Sequence, residues 1–168
     1  MEGIIIYATK YGCTKKAAGL LREKLQEKLQ SGMKAVDIGK EKAPDLSAYD
    51  VVILGGPIYV GKTLKPLADY MQKNLEVLKR KRLALFLCAG EQDPGQKELL
   101  LAGAFPEELR KIAVACEVFG GELNWDKLDF MTRLILRLVK GIKTGYYRLS
   151  QEKIEKFALD VSKAGVLK

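Results

Sequence analysis

The sequence predicts an α/β protein built on a doubly wound, central parallel sheet. Three observations carry that expectation. Short apolar runs alternate along the chain with segments of helical periodicity. The runs are apolar throughout, which is the pattern of strands buried on both faces. The first, third and fourth runs open into glycine-rich turns, and sheets of this kind bind ligands beyond the carboxyl ends of their strands. Those three turns are therefore expected to converge on one site.

The first strand is the run Ile4-Ile5-Ile6-Tyr7. It leads into a turn carrying Thr9, Gly12 and Thr14, and then into a helix expected over residues 15–30, with Ala18, Leu21, Leu25 and Leu29 on one face and Gly32 as its C′ residue. Strand, hydroxyl-and-glycine turn, helix is a geometry that aims free backbone N–H groups and a helix N-terminus at an anion. The turn reads as a phosphate loop, or else as an ordinary βα turn with a threonine cap. A short second strand is expected over 35–38 and a polar connection over 40–47. Val51-Val52-Ile53-Leu54 is the third strand, opening into Gly55-Gly56-Pro57-Ile58-Tyr59-Val60-Gly61-Lys62. A helix over 64–78 buries Leu64, Leu67, Ala68, Met71, Leu75 and Leu78. The fourth strand, 83–88, opens into Ala89-Gly90-Glu91-Gln92-Asp93-Pro94-Gly95. Two short helices, over 96–102 and 106–110, lead to a fifth strand over 112–119. A last helix over 150–164 has a Ser150 cap and a core face of Ile154, Phe157, Ala158 and Val161.

Length and composition narrow the classes. At 168 residues the chain is expected to form one domain, 1–168, with a real core and an insertion at about 120–149. The first strand begins almost at once, leaving no room for a targeting peptide, and no apolar run is long enough to span a bilayer. The absence of histidine removes the commonest general base and metal ligand, which excludes a histidine-based hydrolase or a typical zinc enzyme. Difficult chemistry would then fall to a bound cofactor. Cys13, Cys88 and Cys116 are widely spaced and odd in number, as expected of reduced thiols in the cytoplasm. Cys88 and Cys116 read as core. Cys13, in the first turn, reads either as a thiolate favoured by the helix N-terminus or as a tolerated small side chain. The net charge of +8 favours acidic partners. No nucleic-acid module is present, and Lys79-Arg80-Lys81-Arg82 reads as a solvated turn.

The turns resemble those of a known family. Thr9-Lys10-Tyr11-Gly12-Cys13-Thr14 resembles the flavodoxin phosphate loop, Thr/Ser-x-Thr/Ser-Gly-x-Thr, and Gly55 to Gly61 resembles the flavodoxin loop whose aromatic covers the flavin. The resemblance covers essentially the whole chain. It looks nearest to the flavodoxin-domain subgroup that contains the bacterial quinone-dependent protoporphyrinogen dehydrogenase, which carries a similar insertion before its last helix. It implies a flavodoxin-like fold on five parallel strands and non-covalent FMN. It also implies that Thr9, Lys10, Tyr11, Gly12, Cys13 and Thr14 surround the phosphate, and that Pro57, Ile58, Tyr59, Val60, Gly61, Ala89, Gly90, Glu91 and Asp93 flank the ring system. Two features depart from the pattern. Tyr11 replaces a small hydroxyl residue, and the third turn has no aromatic, so Tyr59 is expected to stack on one face of the flavin only. A less enclosed ring suits an enzyme that admits a substrate; weaker FMN binding is the alternative. Glu91 and Asp93 read as proton carriers or as solvated turn residues. No catalytic side chain is required, since the flavin accepts the electrons.

The insertion is the least generic part. Leu128, Met131, Ile135, Leu138, Val139 and Ile142 fall on one face of a helix, opposite Arg133, Arg137 and Lys140 with Asp129. Trp125 precedes it and Tyr146-Tyr147-Arg148 follows; Phe130, Leu134 and Leu136 widen the apolar arc. Three roles are open: contact with an anionic membrane surface and its quinones, arginine contacts to substrate carboxylates such as porphyrin propionates, or packing on this domain or a second copy. The expected function is FMN-dependent oxidation of a reduced organic substrate with a quinone as acceptor. The alternatives are a flavodoxin-type electron carrier and a flavin-free interaction module.

Overall fold

The computed structural model describes residues 2–30, 32–90 and 93–166. Five parallel strands form the sheet: β1 (Gly3–Tyr7), β2 (Met33–Asp37), β3 (Val51–Pro57), β4 (Arg82–Cys88) and β5 (Ala115–Val118), in the order β2-β1-β3-β4-β5. The order reverses direction between β1 and β3, which is where a doubly wound sheet opens its ligand crevice. Residues pointing to one side of the sheet, Ile4, Ile6, Val52, Leu54, Leu83, Leu85 and Leu87, pack under α2 (Lys65–Lys73), α3 (Leu75–Leu78), α4 (Lys97–Ala104) and α5 (Glu107–Ile112). Their alternates, Ile5, Tyr7, Ile53, Ala84 and Phe86, pack under α1 (Cys13–Leu29) and α7 (Gln151–Val166). Strand alternation thus gives each apolar run two buried faces, and the side chains of β1 from Ile4 to Ile6 have no exposure at all.

Several boundaries differ from expectation, each for a local reason. The pairing of β3 with β4 continues through Gly55-Gly56-Pro57, so the strand outlasts its aliphatic run. The expected helix over 64–78 breaks at Asn74, whose side-chain amide donates to the Tyr70 carbonyl (2.9 Å). The left-handed residue that closes α1 is Gln30 (φ 47°), not Gly32. Cys88 is buried as expected, but Cys116 is only partly so, because β5 is the edge strand.

Between β5 and α7 the chain builds a separate hairpin. Strands β6 (Glu122–Leu123) and β7 (Tyr146–Tyr147) pair antiparallel, and between them lie a 3₁₀ turn (Trp125–Lys127) and α6 (Phe130–Lys140). A backbone hydrogen bond from Ala89 to Gly120 (2.9 Å) fastens its base to the carboxyl end of β4, and those from Arg148 to Gly121 (2.7 Å) and Ser150 to Phe119 (2.7 Å) join its two legs. Asp129 caps α6 by accepting from the Thr132 N–H (2.9 Å), and Gly141 closes it in the left-handed region. Among the described residues, no helix is long and apolar enough to cross a membrane.

Candidate functional site

The turn after β1 leaves the N-terminus of α1 open. Gly12 is its N-cap at φ 95°, a conformation that disfavours any other residue, and it offers no side-chain cap. The Thr9 hydroxyl oxygen accepts from the Gly12 N–H (3.0 Å) and closes the turn. The first helical bond runs from Lys16 N–H to the Gly12 carbonyl (3.0 Å), so the N–H groups of Cys13, Thr14 and Lys15 precede the helical ladder. No acidic residue occupies this first turn. Two buried hydroxyls here, Thr14 Oγ1 and Tyr11 Oη, have no hydrogen-bond partner. An uncapped helix start with two orphaned donors is a cradle for an anion.

The second turn is a tight hairpin. Tyr59 and Lys62 exchange backbone hydrogen bonds (2.8 and 3.0 Å) around Val60 and Gly61, both at positive φ. Val60 is a β-branched residue at φ 48° with its side chain fully exposed, an arrangement that stores strain in the turn. It presents Tyr59 edge-on to Tyr11, with ring centroids 6.2 Å apart and planes at 81°. Lys10 Nζ lies 5.1 Å from the Tyr11 ring and 5.7 Å from the Tyr59 ring. Burial, then the neighbouring Tyr11, pushes the Tyr59 hydroxyl pKa well above its usual value.

The third wall comes from the insertion. Tyr146 packs so closely on Gly90 that a Cβ at that position would overlap its hydroxyl oxygen. The Arg148 guanidinium stacks 4.6 Å from the Tyr146 ring and reaches the Gly90 carbonyl (3.5 Å). Together these elements enclose a cavity of about 600 Å³ lined by Tyr11, Ile58, Tyr59, Ala89, Gly90, Tyr146 and Arg148, with Leu100, Leu123, Leu128, Thr132, Leu136, Lys140 and Ile142. Its floor is the end of the sheet, its walls are aromatic, and Lys140 and Arg148 are its cations. A larger groove of about 760 Å³ lies over α2, α4 and α5, but no residue of the first or third turn lines it.

The family comparison decides what this arrangement is. The sequence pattern described as Flavodoxin domain matches residues 4–150. The chain belongs to the flavodoxin domain family. Flavodoxins are the standard example of its strand order, with FMN at the β1/β3 crevice. Solved structures agree in fold. A flavodoxin from the domain Archaea is 17% identical with a TM-score of 0.60, covering 98% of both chains. Flavodoxin 1 of Bacillus cereus is 17% identical with a TM-score of 0.62, covering 97% of this chain and 98% of that one. The rubredoxin oxygen:oxidoreductase of Desulfovibrio gigas is 15% identical with a TM-score of 0.63, covering 97% of this chain. This chain spans only 35% of that protein. No curated protein matches the chain by sequence.

FMN is the cofactor that a flavodoxin domain indicates, and the residues here fit it. Thr14, Tyr11 and the N–H groups at the start of α1 are positioned to satisfy a phosphate. Tyr59 and Tyr146 offer aromatic faces beside it. The sequence does not place Tyr146 at this cavity, because it lies 56 residues beyond Gly90 and the β6–β7 pairing brings the two together. The sequence signal for it is the aromatic pair Tyr146-Tyr147 just after the inserted helix. It stands against Gly90, in a turn that has no aromatic of its own.

The other expected residues distribute as follows. Ile58, Tyr59, Ala89, Gly90 and Tyr11 line the cavity, whereas Pro57, Val60, Gly61 and Asp93 do not. Asp93 instead accepts from the Gly95 N–H (2.9 Å) at the start of a 3₁₀ turn. Glu91 lies outside the described residues. Of Arg133, Arg137 and Lys140, only Lys140 lines the cavity. Arg133 donates to the Asp126 carbonyl (3.0 Å) and Arg137 stacks on Trp125 (5.3 Å). Cys13 ties the first turn to the insertion: its sulfur accepts from the Glu122 N–H (3.2 Å), and the Lys16–Glu122 ion pair (2.6 Å) runs alongside. A hydrogen bond from the Cys88 thiol, then the Glu122 N–H, holds the Cys13 thiol pKa below its usual value despite partial burial. The same thiol pair and burial raise that of Cys88.

Proposed function

We propose that this protein is an FMN-dependent oxidoreductase that takes electrons from a reduced organic substrate, of the protoporphyrinogen type, and delivers them to a quinone. The observation that carries this reading is the cavity between the flavin turns and the insertion. A protein that only relays single electrons needs an accessible flavin edge. It does not need an insertion that walls over the flavin turns with Leu123, Leu128 and Leu136 and sets Lys140 and Arg148 at the margin. FMN, when bound, supplies the electron- and hydride-accepting chemistry. The chain's own residues bind and orient. Thr14, Tyr11 and the start of α1 hold the phosphate. Tyr59 and Tyr146 fix the ring plane. Lys140 and Arg148 attract carboxylates of the second reactant. Ile58, Leu100, Leu123, Leu128 and Leu136 exclude water from the space between.

The test begins with the visible spectrum of the purified protein and an FMN titration. Saturable uptake, weakened at least about tenfold by Tyr59→Ala, is expected, given the worth of an aromatic stacking contact. Quinone-linked turnover should then fall in Lys140→Glu while FMN affinity holds. FMN uptake without turnover of any reduced tetrapyrrole or quinol would favour the carrier reading. No uptake at all would favour the flavin-free interaction module.

A further inference from the structure

We infer that α6 is a docking surface for an anionic lipid bilayer. This goes beyond the redox reading and does not depend on it. The helix is mounted backwards for a globular protein. Thr132, Leu136 and Lys140, three successive i, i+4 positions, face the cavity. The rows Phe130-Leu134-Leu138 and Met131-Ile135-Val139 face solvent, with exposures of 77, 37 and 76%, and 60, 53 and 75%. No residue of α6 is buried. Six large apolar side chains therefore cover an arc of about 180° on the outside of the molecule. Nothing in the fold is stabilised by leaving them there, and single scattered hydrophobics do not account for a continuous stripe.

Charge identifies the occupant. Between residues 126 and 143 stand five cations, Lys127, Arg133, Arg137, Lys140 and Lys143, against Asp126 and Asp129. Asp129 is engaged in capping the helix through both carboxylate oxygens. On the helical wheel Arg133 and Arg137 border the apolar arc on the side of Phe130. Trp125 stacks with Arg137, and the half-exposed Tyr147 stands at the other end of the hairpin. An apolar arc edged by cations and aromatics is the pattern of a helix lying in the headgroup plane. A second copy of this chain would set five cations against five with two acids apiece, and an isologous contact has no other source of counter-charge. A bilayer rich in acidic lipid supplies that charge and the apolar phase together. In this orientation the cavity lies directly behind the helix, so a lipophilic reactant would reach it without crossing water.

The test uses the full-length, FMN-loaded protein and two vesicle preparations, phosphatidylcholine alone and phosphatidylcholine with abundant phosphatidylglycerol. Co-sedimentation is expected with the acidic vesicles only, and it should weaken as ionic strength rises. The fluorescence of Trp125, the single tryptophan, should shift to the blue on binding. Leu134→Glu/Leu138→Glu should lower vesicle affinity by at least about tenfold, and Arg133→Glu/Arg137→Glu by a similar amount, since each pair removes one of the two contributions. Circular dichroism and flavin uptake, unchanged in both variants, report that the fold and cofactor site are intact. Vesicle binding that survives the double glutamate variant would overturn the inference. So would the absence of binding to acidic vesicles. A concentration-dependent dimer that the same variant dissolves would assign the face to a second copy instead. Loss of flavin uptake with lipid binding intact would count against the redox reading alone.

Discussion

Phe86 and Leu138 are both large apolar residues, and their surroundings have nothing in common. Phe86 is fully buried at the centre of the sheet, stacked on Phe119 (4.9 Å) and edge-on to Phe157 (6.4 Å). Leu138 is 76% exposed on the outer face of α6. The contrast extends to the segments they represent. Every residue of β1 and β3 is buried, and the helices on both faces turn their apolar stripes inward. The insertion turns the stripe of α6 outward and holds to the body through a few backbone hydrogen bonds, the Glu122 contacts to Lys16 and Cys13, and the packing of Tyr146 and Arg148 on Gly90. Stability therefore resides in the sheet, and the insertion is free to be shaped by what it touches.

Truncating both residues gives the sharpest test of that division. Phe86→Ala should destabilise the fold by about 3–5 kcal/mol, the range for removing a buried aromatic. Leu138→Ala should change stability by no more than about 0.5 kcal/mol, as surface substitutions do. Urea denaturation reads both. Comparable losses would mean that α6 is part of the core, and the distinction between the two regions would fall.

A second prediction concerns the seam between them. Gly90→Ala places a methyl group where the Tyr146 hydroxyl now sits, so it should drive that ring out of the cavity wall. FMN should then bind about tenfold more weakly, a loss of about 1.4 kcal/mol. Because both changes act on one contact, Gly90→Ala/Tyr146→Ala should bind FMN no worse than Tyr146→Ala alone. Additive losses would show that Gly90 acts through the backbone instead.

A smaller effect is expected from Glu122→Gln, which breaks the Lys16–Glu122 pair (2.6 Å). The pair is partly exposed, so global stability should drop by no more than about 1 kcal/mol. The loss should be local. Amide exchange should quicken at Leu123, Tyr146 and Tyr147 and stay unchanged in the five-stranded sheet. Faster exchange in β1 or β3 would show that the insertion supports the sheet.

What was legible in the sequence follows the same line. The parallel sheet could be read from runs such as Ile4-Ile5-Ile6 and Val51-Val52-Ile53-Leu54, because burial on both faces writes itself into every position. The first two turns could be read because Gly12, Thr14 and Tyr59 sit next to the strands they serve. The cavity's third wall could not, since Tyr146 and Arg148 reach Gly90 only through a tertiary pairing between two-residue strands, too short to leave a periodic signal. The composition of α6 was legible as amphipathic, but its orientation was not. A helical wheel gives the same arc whether the apolar side faces the core or the solvent.

Tyr70 supplies the smallest test, from inside the core. It is buried on α2, and its hydroxyl has no hydrogen-bond partner. Burial, then the nearby Asp45 carboxylate, pushes its pKa up to about 12, whereas a tyrosine in the unfolded chain titrates at about 10. Above pH 10 the unfolded chain releases this proton and the folded protein keeps it. Stability is therefore whole below about pH 10 and is lost as pH rises towards 12. Tyr70→Phe removes both the titration and the orphaned hydroxyl. At neutral pH it should be neutral or stabilising by up to about 1 kcal/mol, because an unsatisfied polar group leaves the core. Denaturation midpoints measured at pH 8 and pH 11 should show the variant losing less than the parent between the two. A destabilised variant at neutral pH would mean that the hydroxyl holds a bound water, and that even the sheet's core carries polar contacts its side-chain packing does not reveal.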